Sequence, residues 1–153
     1  MMHIILIRHG RTAWNVHHGR DRRFRGLVDV PLEAEGEIQA RLTAERLASL
    51  PLTAVYSSPL QRATRTARII AEPHGLAPQP LPGLGSMDYG DWAGQTSKDV
   101  ARRWPELYQQ WLRDPFQVQV PGGERLADIR ERATAALHDI LSHHTDGETL
   151  ALI

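Results

Sequence analysis

The sequence has no cysteine among its 153 residues. That absence excludes disulfide bonds, thiolate metal sites and a cysteine nucleophile. It also has no excess of one charge, because 18 lysines and arginines balance 18 aspartates and glutamates. A chain without net charge has no global attraction for nucleic acid or for an anionic membrane, so we expect neither as a partner.

Long apolar runs are lacking as well. The apolar run at residues 3–7 is cut by Arg8 and is too short for a signal-peptide core. No other stretch approaches the roughly 20 apolar residues that a membrane span requires. We therefore expect a soluble, cytoplasmic protein, and its length is that of one compact domain.

Short apolar segments alternate with amphipathic ones along the chain. The patterns predict strands at 4–7, 53–57 and 149–153, and helices at 33–50, 60–72, 97–104, 106–112 and 126–140. The β-branched first strand is typical of a strand covered on both faces, and the proline-rich stretch 78–83 predicts a surface connection. This order predicts an α/β fold, a three-layer α/β/α sandwich whose mostly parallel sheet gathers functional groups at its carboxyl edge.

His9 stands at the end of the first predicted strand, between Arg8 and Gly10. Imidazole is a competent nucleophile for phosphoryl transfer, and a glycine leaves the backbone around it open. The planar guanidinium of arginine matches phosphate oxygens and stays charged at all working pH values. The tripeptide alone is a weak signal, and a structural role for it stays open at this point.

Arginines are concentrated in the segment that follows. Residues 8–25 contain six arginines, with Asp21 as the only acid. A basic cluster in a neutral chain should focus anions onto a nearby site, although a solvated loop with incidental arginines is the alternative. We take Arg20 and Arg23 from this cluster as candidates for substrate binding.

Four separated blocks of the sequence resemble the histidine phosphatase (phosphoglycerate-mutase-like) superfamily, in its small phosphatase branch. They are RHGRTAWN at 8–15, YSSPLQRATRTA at 56–67, YGDWAG at 89–94 and PGGE at 121–124. The blocks follow in the family's order and span nearly the whole chain. Residues 1–153 are thus identified as a single domain of this superfamily, with a phosphoglycerate-mutase-like fold.

The resemblance implies roles for individual residues. His9 would take up the phosphoryl group, Arg8 and Arg62 would clamp the phosphate, and Asn15 would add a donor. The other candidates for binding the phosphate ester are Gly10, Thr12 and Gly26. Such a pocket requires no metal and no cofactor, since catalysis of phosphoryl transfer depends mostly on positioning and charge neutralisation.

Two positions depart from the family's pattern. Where most relatives have a glutamate that protonates the leaving oxygen, this chain has Ser86, and a hydroxyl is a poor general acid near neutral pH. Asp88 is the nearest carboxyl group and our candidate for that role, although an aspartate here is also typical of a turn. The second departure is that the sequence stops at Ile153, before the second histidine of the relatives.

From the second departure we expect the natural protein to be longer, with this chain lacking the C-terminal part of the usual fold. The last strand would then leave a sheet edge and apolar surface uncovered. Such a surface predicts poor solubility or the pairing of two chains in a homodimer.

The resemblance implies a phosphomonoester hydrolase that acts on a small-molecule phosphate ester through a phosphohistidine on His9. A cofactor-dependent phosphoglycerate mutase is the closest enzymatic alternative, but the short interval after Ser86 resembles that of the small phosphatases. The other alternative is a non-catalytic relative that binds phosphate esters, which Ser86 and the absent second histidine would favour. The physiological ester is not identified, because variable loops build the leaving-group pocket.

Overall fold

The computed structural model describes residues 1–15 and 22–153. Its strands are β1 (His3–Leu6), β2 (Leu52–Ser57), β3 (Gln79–Pro80) and β4 (Thr149–Leu152). Its helices are α1 (Ala34–Leu47), α2 (Gln61–Ala71), α3 (Ser97–Arg103), α4 (Pro105–Arg113) and α5 (Leu126–Ser142). The strands form one parallel sheet in the order β1-β4-β2-β3, so the predicted α/β fold with a parallel sheet is confirmed.

Side-chain alternation along the two central strands builds a core on each side of the sheet. On one side, Val55 and Ala151 pack under α1 and α2. On the other, Leu150 and Leu152 pack against Ile140 of α5. The sheet is therefore covered by helices on both faces at its centre.

Small side chains allow α1 and α2 to pack closely on their side of the sheet. Ala40 and Ala44 lie one turn apart on α1, and Ala67 and Ala71 lie one turn apart on α2; all four are buried in the same cluster. This packing holds the first turn of α2, which carries Arg62, beside the carboxyl edge of the sheet.

The first strand differs from its prediction. β1 lies at an edge of the sheet, and only Ile5 packs against the core, whereas Ile4 and Leu6 are exposed, Leu6 by 78%. The prediction that this strand is covered on both faces is wrong for the described part of the chain. The reason is that α5 packs over β2 and β4 and leaves β1 uncovered on that side.

The last strand is also placed differently from the expectation. β4 lies inside the sheet, where Leu152 pairs with Leu6 of β1 on one side and with Tyr56 of β2 on the other. The expectation that β4 leaves an open edge is therefore wrong, and the open edge near it belongs to β1. This register brings the chain after β1 and the chain after β2 to the same end of the sheet.

The proline-rich stretch 78–83 contains a short strand that the sequence did not predict. Gln79 and Pro80 form β3, which pairs with β2 at the edge of the sheet and is exposed. Proline is compatible with an edge position because no further strand requires its missing N–H group. The rest of the stretch is a surface connection, as predicted.

A third cluster lies outside the two layers, and we call it the aromatic lobe. Trp92 is fully buried at its centre, with the ring of Phe24 at 5.1 Å and that of Trp111 at 5.6 Å between centroids. The helices α3 and α4 enclose it and meet at Trp104, where Pro105 begins the second of them. Most aromatic side chains of the protein gather here, although aromatics are only 6% of its residues.

Within the described ranges, no helix combines the length and the apolar character needed to cross a bilayer.

Candidate active site

A cavity of about 430 Å³ opens between the carboxyl edge of the sheet and the aromatic lobe. We call one side of it the polar floor, formed by His9, Arg25, Arg62 and Ser86. A second set of lining residues forms the aromatic wall, which consists of Phe24, Tyr89, Tyr108 and Trp111. The floor comes from segments that follow the strands, and the wall comes from the lobe.

The imidazole of His9 is held in one tautomer. Its Nδ1 lies 2.7 Å from the carbonyl oxygen of Gly10. Because a carbonyl oxygen can only accept, Nδ1 carries the proton and donates it, and the neutral ring then has its lone pair on Nε2. The half-buried ring lines the cavity, so Nε2 is the nitrogen available as a nucleophile.

The surroundings of His9 keep its ring neutral. Burial lowers the pKa of His9, and although the Gly10 carbonyl raises it in part, the charges of Arg62, Arg25 and Arg8 lower it further. The net pKa is below the ordinary histidine value, because a charged imidazolium would be desolvated and repelled by cations. At neutral pH the ring is therefore in the form that can attack phosphorus.

The loop that carries His9 is fixed from two directions. The N–H of Gly10 donates to the hydroxyl of Thr66 at 3.2 Å, and that hydroxyl donates to the Arg62 carbonyl at 2.8 Å. A side chain at Gly10 would overlap the carbonyl of Gly36 at the start of α1. Glycine is required here because the two backbones touch, and their contact sets the position of His9.

Arg62 is a buried cation whose donors are already oriented. Its guanidinium, 2% exposed as a residue, donates to the Val28 carbonyl at 3.0 Å, to the Gly26 carbonyl at 2.8 Å and to the Ser86 hydroxyl at 3.1 Å. Burial lowers the pKa of Arg62, with Asp29 opposing this, but a guanidinium remains charged in proteins. A phosphate entering the cavity thus meets a cation that does not have to reorganise.

Gly26 positions one of these acceptors. Its φ of 49° lies in the left-handed region, and a side chain there would overlap the carbonyl of Met87. Only glycine adopts this conformation without strain at such close approach. Gly26 therefore contributes to the site through its backbone. It lines the cavity, and its carbonyl oxygen accepts a hydrogen bond from Arg62.

Arg25 is a floor residue that sequence reasoning did not single out. Its guanidinium donates to the Thr12 hydroxyl at 3.0 Å and to the Asn15 side-chain oxygen at 2.8 Å. Burial lowers the pKa of Arg25, and the charge of Arg62 lowers it further, which indicates two cations facing one space. The available signal was its place in the arginine cluster directly before Gly26.

Thr12 and Asn15 lie behind Arg25 and not at the surface of the cavity. The side-chain oxygen of Asn15 accepts from the backbone N–H of Thr12 at 2.9 Å and from its hydroxyl at 2.8 Å, as well as from Arg25. Neither side chain lines the cavity. The structure therefore connects both predicted substrate-binding residues to the site through Arg25.

Asp88, the predicted proton donor, lies outside the cavity. Its carboxylate accepts from the backbone N–H of Gly90 at 2.9 Å, and its own backbone N–H donates to Glu124 at 2.8 Å. It lines a separate depression that shares Ser86 and no other residue with the His9 cavity. The carboxylate is thus used to hold a turn, which is the alternative that the sequence allowed.

The remaining predicted residues are divided between the cavity and other places. Arg8 is exposed and lines a shallow depression of its own, so it reaches His9 through its charge alone. Arg23 lines the cavity, donates to the Gly94 carbonyl at 2.7 Å and lies 5.7 Å from the ring centroid of Trp14. Arg20 lies outside the described residues.

Sequence reasoning also missed a group of hydrogen bonds that supports the polar floor from behind. Arg132 of α5 donates to the carbonyls of Gly83 at 3.0 Å, Gly85 at 2.8 Å and Ser86 at 2.9 Å. It forms a two-point ion pair with Glu124, whose carboxylate pKa is lowered by this hydrogen bond. The pair fixes the loop that ends at Ser86, and Arg132 had no sequence signal because it resembles any other helix arginine.

The aromatic wall is continuous and neutral. The ring centroids of Phe24 and Tyr89 are 5.0 Å apart, and those of Tyr89 and Trp111 are 6.0 Å apart. Burial raises the pKa of the Tyr89 phenol, although Arg22 and Arg25 oppose this.

Among residues 1–15 and 22–153, no group of three or more histidine or carboxylate side chains is arranged to hold a metal ion.

Comparison with known proteins identifies relatives of this chain. The profile of the histidine phosphatase superfamily (branch 1) matches residues 4–153. Phosphoserine phosphatase 1 of Hydrogenobacter thermophilus is 34% identical over 144 residues, which are 94% of this chain and 66% of that protein. Phosphoglycerate mutase-like protein 4 of Arabidopsis thaliana is 35% identical over an alignment of 153 positions, which covers 98% of this chain and 64% of that protein.

The fold comparison agrees with the sequence comparison. The solved structure of YhfR from Bacillus stearothermophilus matches with a TM-score of 0.90 and 31% identity, covering 99% of this chain and 73% of that one. The chain spans about two thirds of the length of the curated relatives it matches. With the profile matching nearly every residue, the chain belongs to the histidine phosphatase superfamily.

Proposed function

We propose that this chain hydrolyses phosphate monoesters of small molecules through a phosphohistidine on His9. The single observation that carries the proposal is the hydrogen bond from His9 Nδ1 to the Gly10 carbonyl, which leaves Nε2 unprotonated in a cavity that also contains Arg25 and Arg62. The similarity to a relative named phosphoserine phosphatase supports a hydrolase.

The floor supplies what the first step requires. Arg25 and Arg62 neutralise the phosphate oxygens, so that the anionic ester can approach a neutral nucleophile. Nε2 then forms a bond to phosphorus while the bond to the leaving oxygen breaks. In the second step water attacks the phosphohistidine, which releases inorganic phosphate and restores the neutral ring.

Phosphoglycerate mutase activity is the second candidate, because the Arabidopsis relative is named mutase-like. A mutase would return the phosphoryl group to a glycerate hydroxyl instead of passing it to water. The two candidates are separated by incubating the protein with 3-phosphoglycerate, with and without a bisphosphoglycerate primer. Release of inorganic phosphate supports the hydrolase, and primed conversion to 2-phosphoglycerate supports the mutase.

The proposal is tested by measuring turnover of 4-nitrophenyl phosphate by the wild type and by two variants. His9→Ala should lose activity by on the order of 10⁴-fold or more, since the nucleophile itself is removed. His138→Ala, on the exposed face of α5, is the matched control and should keep wild-type activity. Full turnover by His9→Ala would contradict the proposal, and phosphate binding without turnover by the wild type would support a non-catalytic relative.

A further inference from the structure

Among the described residues, the charged side chains that line the cavity are all of one sign. The described residues that line it include Arg22, Arg23, Arg25 and Arg62, and none of them carries a carboxylate. The neighbouring acids, Asp88 and Glu124, belong to the separate depression. There they bind the Gly90 turn and Arg132.

This balance matters for the oxygen that leaves phosphorus. In the loose transition state of phosphoryl transfer, the leaving oxygen acquires negative charge. An enzyme can cancel that charge with a proton from a general acid or oppose it with fixed cations. The described residues that line this cavity include four arginines and no carboxylate, which favours opposition of the charge by fixed cations.

The hydroxyl groups of Ser86 and Tyr89 are poor substitutes for an acid. Ser86 accepts a hydrogen bond from Arg62 at 3.1 Å, and an alcohol near neutral pH does not readily give up its proton. Burial raises the pKa of Tyr89, which makes its phenol a weaker acid than usual. Both groups can donate hydrogen bonds, but the full charge of an alkoxide would exceed what they can relieve.

The wall adds a preference for shape. Phe24, Tyr89 and Trp111 present edges and faces to one another at 5.0 to 6.4 Å between centroids. A further flat ring can pack against them in the same offset or edge-to-face geometry. The wall and the arginines line the same cavity, so a ring packed against the wall can have its substituent oxygen beside the arginines.

Building on the proposed phosphatase function, we propose that the cavity selects aryl phosphates, whose leaving oxygen departs as a phenolate that the arginines stabilise without proton transfer. The lone pair of His9 Nε2 forms the N–P bond, the P–O bond breaks, and its electron pair stays on the aryl oxygen. Water then attacks phosphorus, the N–P electron pair returns to Nε2, and the proton lost by water goes to solvent. No oxidant or further reactant is needed.

The test is a series of esters that separates ring binding from leaving-group acidity. 4-Nitrophenyl phosphate and phenyl phosphate leave as phenolates, benzyl phosphate carries a ring on an alkyl oxygen, and glycerol 1-phosphate has neither feature. With the wild type, kcat/KM for 4-nitrophenyl phosphate should exceed that for benzyl phosphate by about 10²-fold or more, the usual contribution of a general acid that is not used here. Inorganic diphosphate, an anionic leaving group without a ring, should be a poorer substrate than 4-nitrophenyl phosphate.

A gain-of-function variant sharpens the test. Ser86→Glu places a carboxyl group beside the leaving oxygen and should narrow the ratio between 4-nitrophenyl and benzyl phosphate to about 10-fold or less, mainly by faster turnover of benzyl phosphate. Ser142→Glu, at the exposed end of α5, is the matched control and should leave the ratio unchanged. If Ser86→Glu does not fold, the wild-type series decides by itself.

Comparable kcat/KM values for benzyl and 4-nitrophenyl phosphate in the wild type would overturn the inference. A preference for diphosphate would overturn the assignment to aryl esters, and an unchanged ratio in folded Ser86→Glu would overturn the absence of proton transfer. These outcomes differ from failure of the proposed function, in which the wild type turns over none of the esters.

Discussion

The polar floor and the aromatic wall of the cavity are built by different forces. The floor is held by directed hydrogen bonds between segments far apart in sequence, such as those from Arg62 to Gly26 and Ser86. The wall is held by the packing of rings around Trp92, which is fully buried. Hydrogen bonds fix distances and directions, whereas packed rings fix a surface.

The difference assigns separate tasks to the two sides. A phosphoryl group is the same in every ester, so its recognition needs a fixed set of cations and one oriented nucleophile. Under the proposed function, the leaving group, which differs between esters, lies against the wall. Changes in the floor should therefore affect kcat, and changes in the wall should affect KM and the choice of ester.

Apart from removal of His9 itself, the largest effect is expected from Arg62→Met. The substitution removes a buried charge and leaves the carbonyls of Gly26 and Val28 without their donor. Activity should fall by about 10³-fold, and the free energy of unfolding by about 2–3 kcal/mol. Enzyme kinetics and urea unfolding measure both quantities. Arg65→Met on the exposed side of α2 is the control, and an equal loss in both variants would contradict the account.

Arg25→Gln should have a smaller effect and a diagnostic pH dependence. Loss of one cation should lower kcat/KM by about 10²-fold. The charge of Arg25 is one of the causes that lower the pKa of His9, so its removal raises that pKa towards the ordinary value. In the proposed mechanism only neutral His9 attacks, so the activity lost on acidification should be lost at higher pH in the variant than in the wild type.

The check is a pH–rate profile of Arg25→Gln beside that of Arg102→Gln, which changes an exposed arginine of α3. The acidic limb of Arg25→Gln should move to higher pH, and that of Arg102→Gln should not move. A limb displaced to lower pH would mean that Arg25 does not act on His9 in the way described.

Trp111→Ala should have the smallest effect and should change the wall alone. Loss of one ring should raise KM for 4-nitrophenyl phosphate by about 10-fold and leave kcat nearly unchanged. Phe116→Ala is the matched control, because Phe116 is 58% exposed and does not line the cavity. A fall in kcat with constant KM would show that the wall takes part in chemistry and would remove the distinction between the two sides.

Much of the fold could be predicted from local patterns. Apolar periodicity located α1, α2 and α5, because each of these helices buries one face, and short apolar runs located the central strands, which bury both faces. The place of β1 at an edge could not be predicted, since its β-branched run has the same pattern whether one face or both are covered. β3 was missed because two paired residues in a proline-rich connection have no periodicity to detect.

The site could be predicted only for residues that stand in recognisable blocks of the sequence. His9 and Arg62 stand in recognisable blocks and both line the cavity. Arg25 and Arg132 act through partners distant in sequence, so no spacing rule identifies them. Asp88 is the nearest carboxyl group along the chain, but its carboxylate accepts a hydrogen bond from the turn at Gly90.

The most direct test is to trap the phosphorylated enzyme. The wild type is mixed briefly with excess 4-nitrophenyl phosphate and denatured in base, where phosphohistidine is stable, and the site of phosphate is mapped by mass spectrometry. The account predicts one phosphate on the peptide with His9, attached at Nε2, and none in His9→Ala. Steady turnover with phosphate on another residue, or attached at Nδ1 of His9, would contradict it.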